Sequence, residues 1–334
     1  MGSLLYAINV VLPLVLLVAL GYFLKRIKLL NDEFVKVANK LVFYVAIPVL
    51  LFKSVYDADF SSLDGTYILY IILVSLALFI LVFIAFSLIY RKSGKVGTLV
   101  NAFIRANYTL IGIPLVVMMF DSGTELYKTT VGLVSIVAAF ALPLFNSLGV
   151  IALAIAEGAE KKQSLGVALK NTLIKLIKNP LIIGLLIGLL FSVGRLVLGI
   201  EVHFIEVKIP FLYRTISYIS QLASPLALIM VGAKFTFAKS KSLGKYIIGG
   251  VIARNILMPL VVFGLALLCF DFTNCEMAVL FAAFASPTAV SSVPVAEQMG
   301  GDGELAGQLT VYSTLVSPFI IVILITILKS LAIL

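Results

Sequence analysis

Asn107-Tyr-Thr-Leu-Ile-Gly-Ile-Pro114 and Ser286-Pro-Thr-Ala-Val-Ser-Ser-Val-Pro294 are the two stretches on which the fold turns. Each lies inside a long apolar run. Each carries proline, which removes a backbone donor and clashes with the turn before it. Both helices are therefore expected to unwind there, and Thr109, Gly112, Ser286, Thr288, Ser291 and Ser292 fit an unwound segment. Broken backbone within a bilayer is tolerated only where it is buried in protein or lines a cavity. The helix N-termini restarting there offer free N–H groups and partial positive charge to an anion. The expected substrate-binding set is Asn107, Thr109, Gly112, Ile113, Pro114, Ser286, Pro287, Thr288, Ser291, Ser292 and Pro294, and the expected ligand is a small anion. The plainer alternative is two kinked packing helices with small residues at their contacts.

The surrounding composition says membrane. Of 334 residues, 62% are hydrophobic and 12% charged, and the mean hydropathy is +1.17. Soluble domains average about 45–50% apolar and about 25% charged residues. Ten apolar runs are long enough to span, at 1.5 Å per residue. They are Leu4–Leu24, Phe34–Phe52, Tyr67–Tyr90, Val96–Phe120, Thr129–Ala156, Leu181–Leu198, Phe211–Ala233, Tyr246–Phe270, Met277–Ala296 and Leu305–Leu328. Such runs, without strict alternation, specify helices rather than a barrel. The expected fold class is an all-α polytopic membrane protein. The first run has no basic residue before it and reads as a mature span rather than a cleaved signal.

The net charge of +9 is distributed unevenly. Seventeen Lys and Arg residues flank or fill the first, third, fifth and seventh connections, against six on the other side. By the positive-inside rule both termini lie outside, despite an acidic ninth connection with Glu297, Asp302 and Glu304. The positive charge suits anionic lipid, and nucleic acid is not an expected partner.

The two halves repeat. Pro225 follows Pro48 by 177 residues in similar surroundings, and Pro294 follows Pro114 by 180. Five spans per copy, an odd number, place the copies in opposite orientations, as in secondary transporters. The expected units are 1–156, a basic amphipathic connection at 157–179, and 180–334. In that connection Leu165 to Lys178 reads as an interfacial helix. Pro48 and Pro225 read as kinks lining the same cavity as the breaks.

Two cations fall inside spans. Arg254 would neutralise a substrate carboxylate or gate access to it, or else would be a structural charge on backbone carbonyls near the Pro259 kink. Arg105 is expected to snorkel toward the inner surface near Val96. Glu297 and Gln298 read as a solvated helix end, with proton acceptance or sodium binding as the alternative. Cys269 and Cys275 are expected as free thiols rather than a bridge, and His203 as an exposed loop residue. No nucleophile–base pair, phosphate loop or metal cluster is visible, so no enzyme, cofactor or metal is expected.

With Asn39-Lys-Leu-Val-Phe-Tyr-Val-Ala-Ile-Pro-Val-Leu-Leu-Phe52, Asn107 to Pro114, Ala285-Ser-Pro-Thr-Ala-Val290 and Ala296-Glu-Gln-Met-Gly-Gly-Asp302, nearly the whole chain resembles the auxin efflux carrier family. The last two motifs resemble its bacterial malate or malonate permease-like branch. The resemblance implies ten helices in two inverted five-helix repeats, a bile acid/sodium symporter-like fold with crossing broken helices 4 and 9. It also implies an elevator movement of mono- or dicarboxylates such as malate, malonate or auxin-like acids, and a homodimer through a scaffold domain in the cell membrane. Plant auxin carriers have an amide in the second crossover where this chain has Ser and Thr, and a long loop absent here. Coupling to H+ or Na+ stays open. The alternatives are a membrane-embedded ligand sensor, a channel, or a sodium-coupled organic anion symporter.

Overall fold

The computed structural model describes residues 3–57, 65–90, 93–117, 119–120, 124–160, 174, 178–199 and 204–330. The principal helices are α1 (Ser3–Arg26), α2 (Asp32–Tyr56), α3 (Gly65–Ile89), α4 (Val96–Ile104), α5 (Ile113–Val117), α6 (Glu125–Glu160) and α7 (Pro180–Leu198). There follow α8 (Pro210–Lys234), α9 (Gly244–Cys269), α10 (Asn274–Ala285), α11 (Ser292–Gln298) and α12 (Gly303–Ser330). Among the described residues six helices, α2, α3, α8, α9, α12 and the Phe140–Gly158 part of α6, are long and apolar enough to cross a membrane. The described residues are thus almost entirely helical, with several helices fit by length and composition to span a bilayer. Most of the basic connection at 157–179, and His203, lie outside the described residues.

Helices such as α3 are apolar all round, as lipid on one side and protein on the other require. In α3, Ile71 and Leu78 are buried while Leu73, Leu81 and Leu88 face outward. Caps set the polar ends. The Asn31 side chain accepts from the Phe34 N–H at 2.7 Å to start α2, and Thr273 and Glu276 form a capping box on α10.

Proline acts in two ways. Three π-helical turns, Val42–Ala46, Tyr108–Gly112 and Ala253–Leu257, each stop two residues before a proline, at Pro48, Pro114 and Pro259. The amide just before each proline reaches back five residues, to the carbonyls of Val42, Tyr108 and Ala253. The wider turn absorbs the ring that an α-helical turn would exclude. Pro13, Pro143, Pro225 and Pro318 instead lie inside uninterrupted helices.

Glycine permits close helix pairs, among them α1 with α8 and α2 with α7. A Cβ on Gly21 of α1 would lie 2.0 Å from the Ile229 carbonyl oxygen of α8, and one on Gly232 of α8 would lie 1.9 Å from that of Val18 in α1. The second pair joins α2 to α7, where a Cβ on Gly184 would lie 2.4 Å from the Pro48 oxygen and one on Gly188 would lie 3.0 Å from that of Phe52. Backbones meet here because small residues let them, which is how helices associate without a hydrophobic drive. The other face of the molecule is built on α10, whose residues Met277 to Ala285 are all buried, packed between α6 and α9.

Candidate functional site

Helix α4 ends at Ile104, and Arg105 is extended, with φ −84° and ψ 109°. Helix α10 ends at Ala285, with Ser286 likewise extended at φ −64° and ψ 143°. The two extended pieces lie against one another as an antiparallel bridge between Ala106 and Thr288. The Asn107 N–H donates to the Pro287 carbonyl and the Ala289 N–H to that of Arg105, both at 2.8 Å. Each interruption thus satisfies backbone groups that the other has freed, as buried peptide groups require. Gly112 sets how closely they approach: a Cβ there would sit 2.4 Å from the Ala282 carbonyl oxygen and 2.8 Å from Ser286 Oγ.

The π turn of α9 carries the brace of this crossing. Arg254 is fully buried, and all its nitrogens donate. Nε and Nη2 reach the Ser286 carbonyl at 3.0 and 2.7 Å, Nη1 the Phe103 carbonyl at 2.8 Å, and Nη2 also that of Ala283 at 3.4 Å. One guanidinium therefore caps the C-terminal ends of α4 and α10, where carbonyls lack helical partners and the dipoles are negative. Next to it, Asn255 exchanges two hydrogen bonds with Ser313 of α12, whose Oγ accepts the Thr288 N–H at 3.0 Å. Thr288 Oγ1 closes the set on the Ala102 carbonyl.

Beside the bridge lies a cavity of about 40 Å³, with Ala106 and Ala289 in its wall. Its polar wall is Arg105, Asn107, Thr109, Asn146, Ser224 and Ser291, and its apolar wall includes Ile47, Leu50, Leu51, Leu142 and Phe145. Arg105 is 1% exposed, and Nη2 donates to Ser291 Oγ at 2.7 Å, while Nε and Nη1 have no partner. Asn107 Nδ2 and Asn146 Oδ1 also lack partners. The space is large enough for water, since one molecule needs roughly 10–15 Å³, but a carboxylate requires the walls to part.

Of the residues singled out in the sequence, Asn107, Thr109 and Ser291 face this cavity. Gly112, Ser286, Pro287 and Thr288 build the crossing instead, with the Ser286 hydroxyl donating to Ala282. Ser292 and Pro294 are buried in α11, Ile113 is half-buried at the start of α5, and Pro114 follows it, its side chain outside the described residues. Arg254 is placed among carbonyls, away from the cavity wall. Neighbours of Pro48 and Pro225 line the space, namely Ile47 and Ser224. Arg105 corrects the snorkelling expectation. Nine residues beyond Val96 at 1.5 Å each is about 13 Å, close to the middle of a bilayer and too deep for the side chain to reach water. That depth was the available signal. Asn146 and Ser224 had none, because their relevance depends on which helix faces approach.

A family of membrane transport proteins matches residues 6–325. The chain belongs to that family, the auxin efflux carriers. This transporter is 26% identical over 321 residues to an uncharacterized transporter of Methanothermobacter thermautotrophicus, covering 92% of this chain and 93% of that protein. A second uncharacterized transporter, from Methanocaldococcus jannaschii, is 25% identical over 294 residues, covering 85% and 87%.

The transporter is latched at the far end of α11. Glu297 is no solvated helix end: Oε2 accepts from Asn39 of α2 at 2.9 Å and Oε1 from Lys234 of α8 at 2.6 Å. Nearby, Asp302 pairs with Lys95, accepts the Leu305 N–H at 2.9 Å, and donates its own amide to Thr98 Oγ1. Partial burial pushes the Asp302 carboxyl upward, but the Leu305 amide and Lys95 prevail and hold it below the ordinary carboxylate value. A depressed carboxyl stabilises the fold above its unfolded pKa, near 3.9, and that stabilisation is lost as pH falls through the folded value. Asp302→Asn keeps an acceptor for the Leu305 amide but loses the partly exposed Lys95 pair, so it is expected to cost up to about 1 kcal/mol at neutral pH. Melting curves of the two proteins should converge below about pH 4. Cys269 is an exposed and Cys275 a buried free thiol.

Proposed function

We propose that this protein is a secondary carrier of small organic anions, mono- or dicarboxylates, held where the two broken helices cross and moved by elevator-type alternating access. The carrying observation is the cavity beside the Ala106–Thr288 bridge, whose wall includes Asn107 with a buried, unpaired amide donor. Unpaired buried donors cost about 1–3 kcal/mol each unless a ligand or water meets them.

Ten spans in two inverted repeats fit the same reading. An offset of about 178 residues relates α1 to α7 and α2 to α8, so the pair α1 with α8 and the pair α7 with α2 are symmetry mates. Both are the glycine-lined pairs described above. They would form the scaffold, and α4, α5, α10 and α11 would move past them with the substrate. Glu297, tying α11 to Asn39 and Lys234, would be a latch between the two parts. A homodimer through the scaffold, in the cell membrane with both termini outside, completes the proposal.

Counterflow decides between classes. Liposomes preloaded with unlabelled carboxylate should accumulate the labelled acid transiently, and flux should saturate. Flux without saturation or trans-stimulation would favour a channel, and binding without flux would favour a sensor. Repeating uptake with imposed sodium or pH gradients shows whether either ion is coupled.

A further inference from the structure

We propose that Arg105 is a substrate-binding residue and that its site takes a single carboxylate, so the substrate is a monocarboxylate with an apolar body. This rests on the carrier reading and deepens it.

The two buried cations at the crossing have different surroundings. Arg254 meets the carbonyl ends of α4 and α10. Each helix end carries roughly half a negative charge, so the two together balance one guanidinium. Arg105 has no such match. Among the described residues its one hydrogen-bond partner is the neutral hydroxyl of Ser291, and no Asp or Glu lines the cavity. One positive charge is left over, and one anionic group completes it. A charge held in a buried site without a counter-charge is costly, which marks it as functional.

The guanidinium is also held in place. A Cβ on Gly149 would lie 2.7 Å from Arg105 Cδ and 3.1 Å from Cγ, so the glycine makes room for the stem. Asn107 Nδ2 is a second donor for the same carboxylate. Across the cavity stand Ile47, Leu50, Leu51, Leu142 and Phe145, which suit an apolar body. Thr109 and Ser224 add hydroxyls but no charge. The unpaired Asn146 Oδ1 is an acceptor, which would repel a second carboxylate and welcome a hydroxyl or N–H. A dianion would bring one uncompensated negative charge into this space.

The test uses purified full-length protein in thermal-shift and liposome counterflow assays. Isovalerate, 2-oxoisocaproate and phenylacetate are compared with malonate, malate and succinate. At pH 7.5 the monocarboxylates should stabilise and exchange and the dicarboxylates should not. On acidification, dicarboxylate affinity should rise about tenfold per pH unit as the singly protonated form accumulates. Arg105→Gln should raise the half-saturating concentration about a hundredfold or more. Its ligand-free melting temperature should stay level or rise, because an unmatched buried charge has gone; a merely structural role would lower it. Tighter binding of dicarboxylates than monocarboxylates at pH 7.5 overturns the single-charge assignment, and this needs no variant. Wild-type affinity in Arg105→Gln overturns the role of Arg105 while leaving the carrier reading intact. If wild type moves no carboxylate but does move a neutral or cationic compound, the carrier reading and this inference fall together.

Discussion

Gly112→Ala is expected to abolish transport and to lower the melting temperature of the purified protein. The added Cβ would lie 2.4 Å from the Ala282 carbonyl oxygen, 3.0 Å from its carbon and 2.8 Å from Ser286 Oγ. The first two obstacles are backbone of a fully buried helix, which cannot rotate aside as a side chain would. Relief requires the Tyr108–Gly112 turn to move away from α10, and that motion pulls on the bonds from Asn107 to Pro287 and from Ala289 to Arg105. Overpacking of a dense core costs typically about 1–3 kcal/mol, and opposition from backbone puts this case at or above the top of that range. Gly264→Ala is the control, since nothing lies within 4 Å of its added methyl. It should melt at or slightly above the wild-type temperature. Normal transport by Gly112→Ala would show that the two broken helices need not touch during the cycle.

Arg254→Met is expected to cost more stability than any other single change discussed here. Removing the guanidinium strands the carbonyls of Phe103, Ala283 and Ser286 at the ends of two helices, in a place with no exposure to water. An unmet buried acceptor costs about 1–3 kcal/mol, so losing all three contacts amounts to several kcal/mol even with partial relaxation. Lysine should rescue little, because one ammonium lacks the planar fork that meets carbonyls from two helices at once. The contrast with Arg105 is the sharp part. Removing Arg254 should lower ligand-free stability, whereas removing Arg105 should not, although both are buried arginines at one crossing. A variant at 254 that melts like wild type and only weakens substrate binding would move Arg254 into the site and cancel its role as a brace.

Much of this was legible in the chain. Runs such as Tyr67–Tyr90 and Leu305–Leu328 coincide closely with Gly65–Ile89 and Gly303–Ser330, because length and hydropathy alone define a helix in lipid. Asn107, Thr109 and Ser291 could be singled out because proline and polar residues in mid-run are expensive unless used. The division of labour among the residues was not legible. Ser286, Thr288 and Arg254 have the same polar character as the cavity residues, yet the Ser286 hydroxyl turns back on Ala282 in its own helix, and Thr288 and Arg254 donate to carbonyls 29 or more residues away. Which prolines are met by a π turn was equally hidden: Pro48, Pro114 and Pro259 are, Pro225 and Pro318 are not, and the flanking sequence does not separate them. Glu297 reads locally as a helix end, and only the fold brings Asn39, 258 residues away, to its carboxylate.

The central claim is that substrate sits at the crossing, and Asn107→Ala tests it most directly. The backbone N–H of Asn107 makes the bond to Pro287, so alanine leaves the bridge intact and removes only the amide that faces the cavity. Counterflow and thermal shift with the carboxylate that wild type prefers should then show an unchanged ligand-free melting temperature, a loss of ligand stabilisation, and at least tenfold weaker exchange. Undiminished binding and exchange in Asn107→Ala would place the substrate elsewhere and contradict the account.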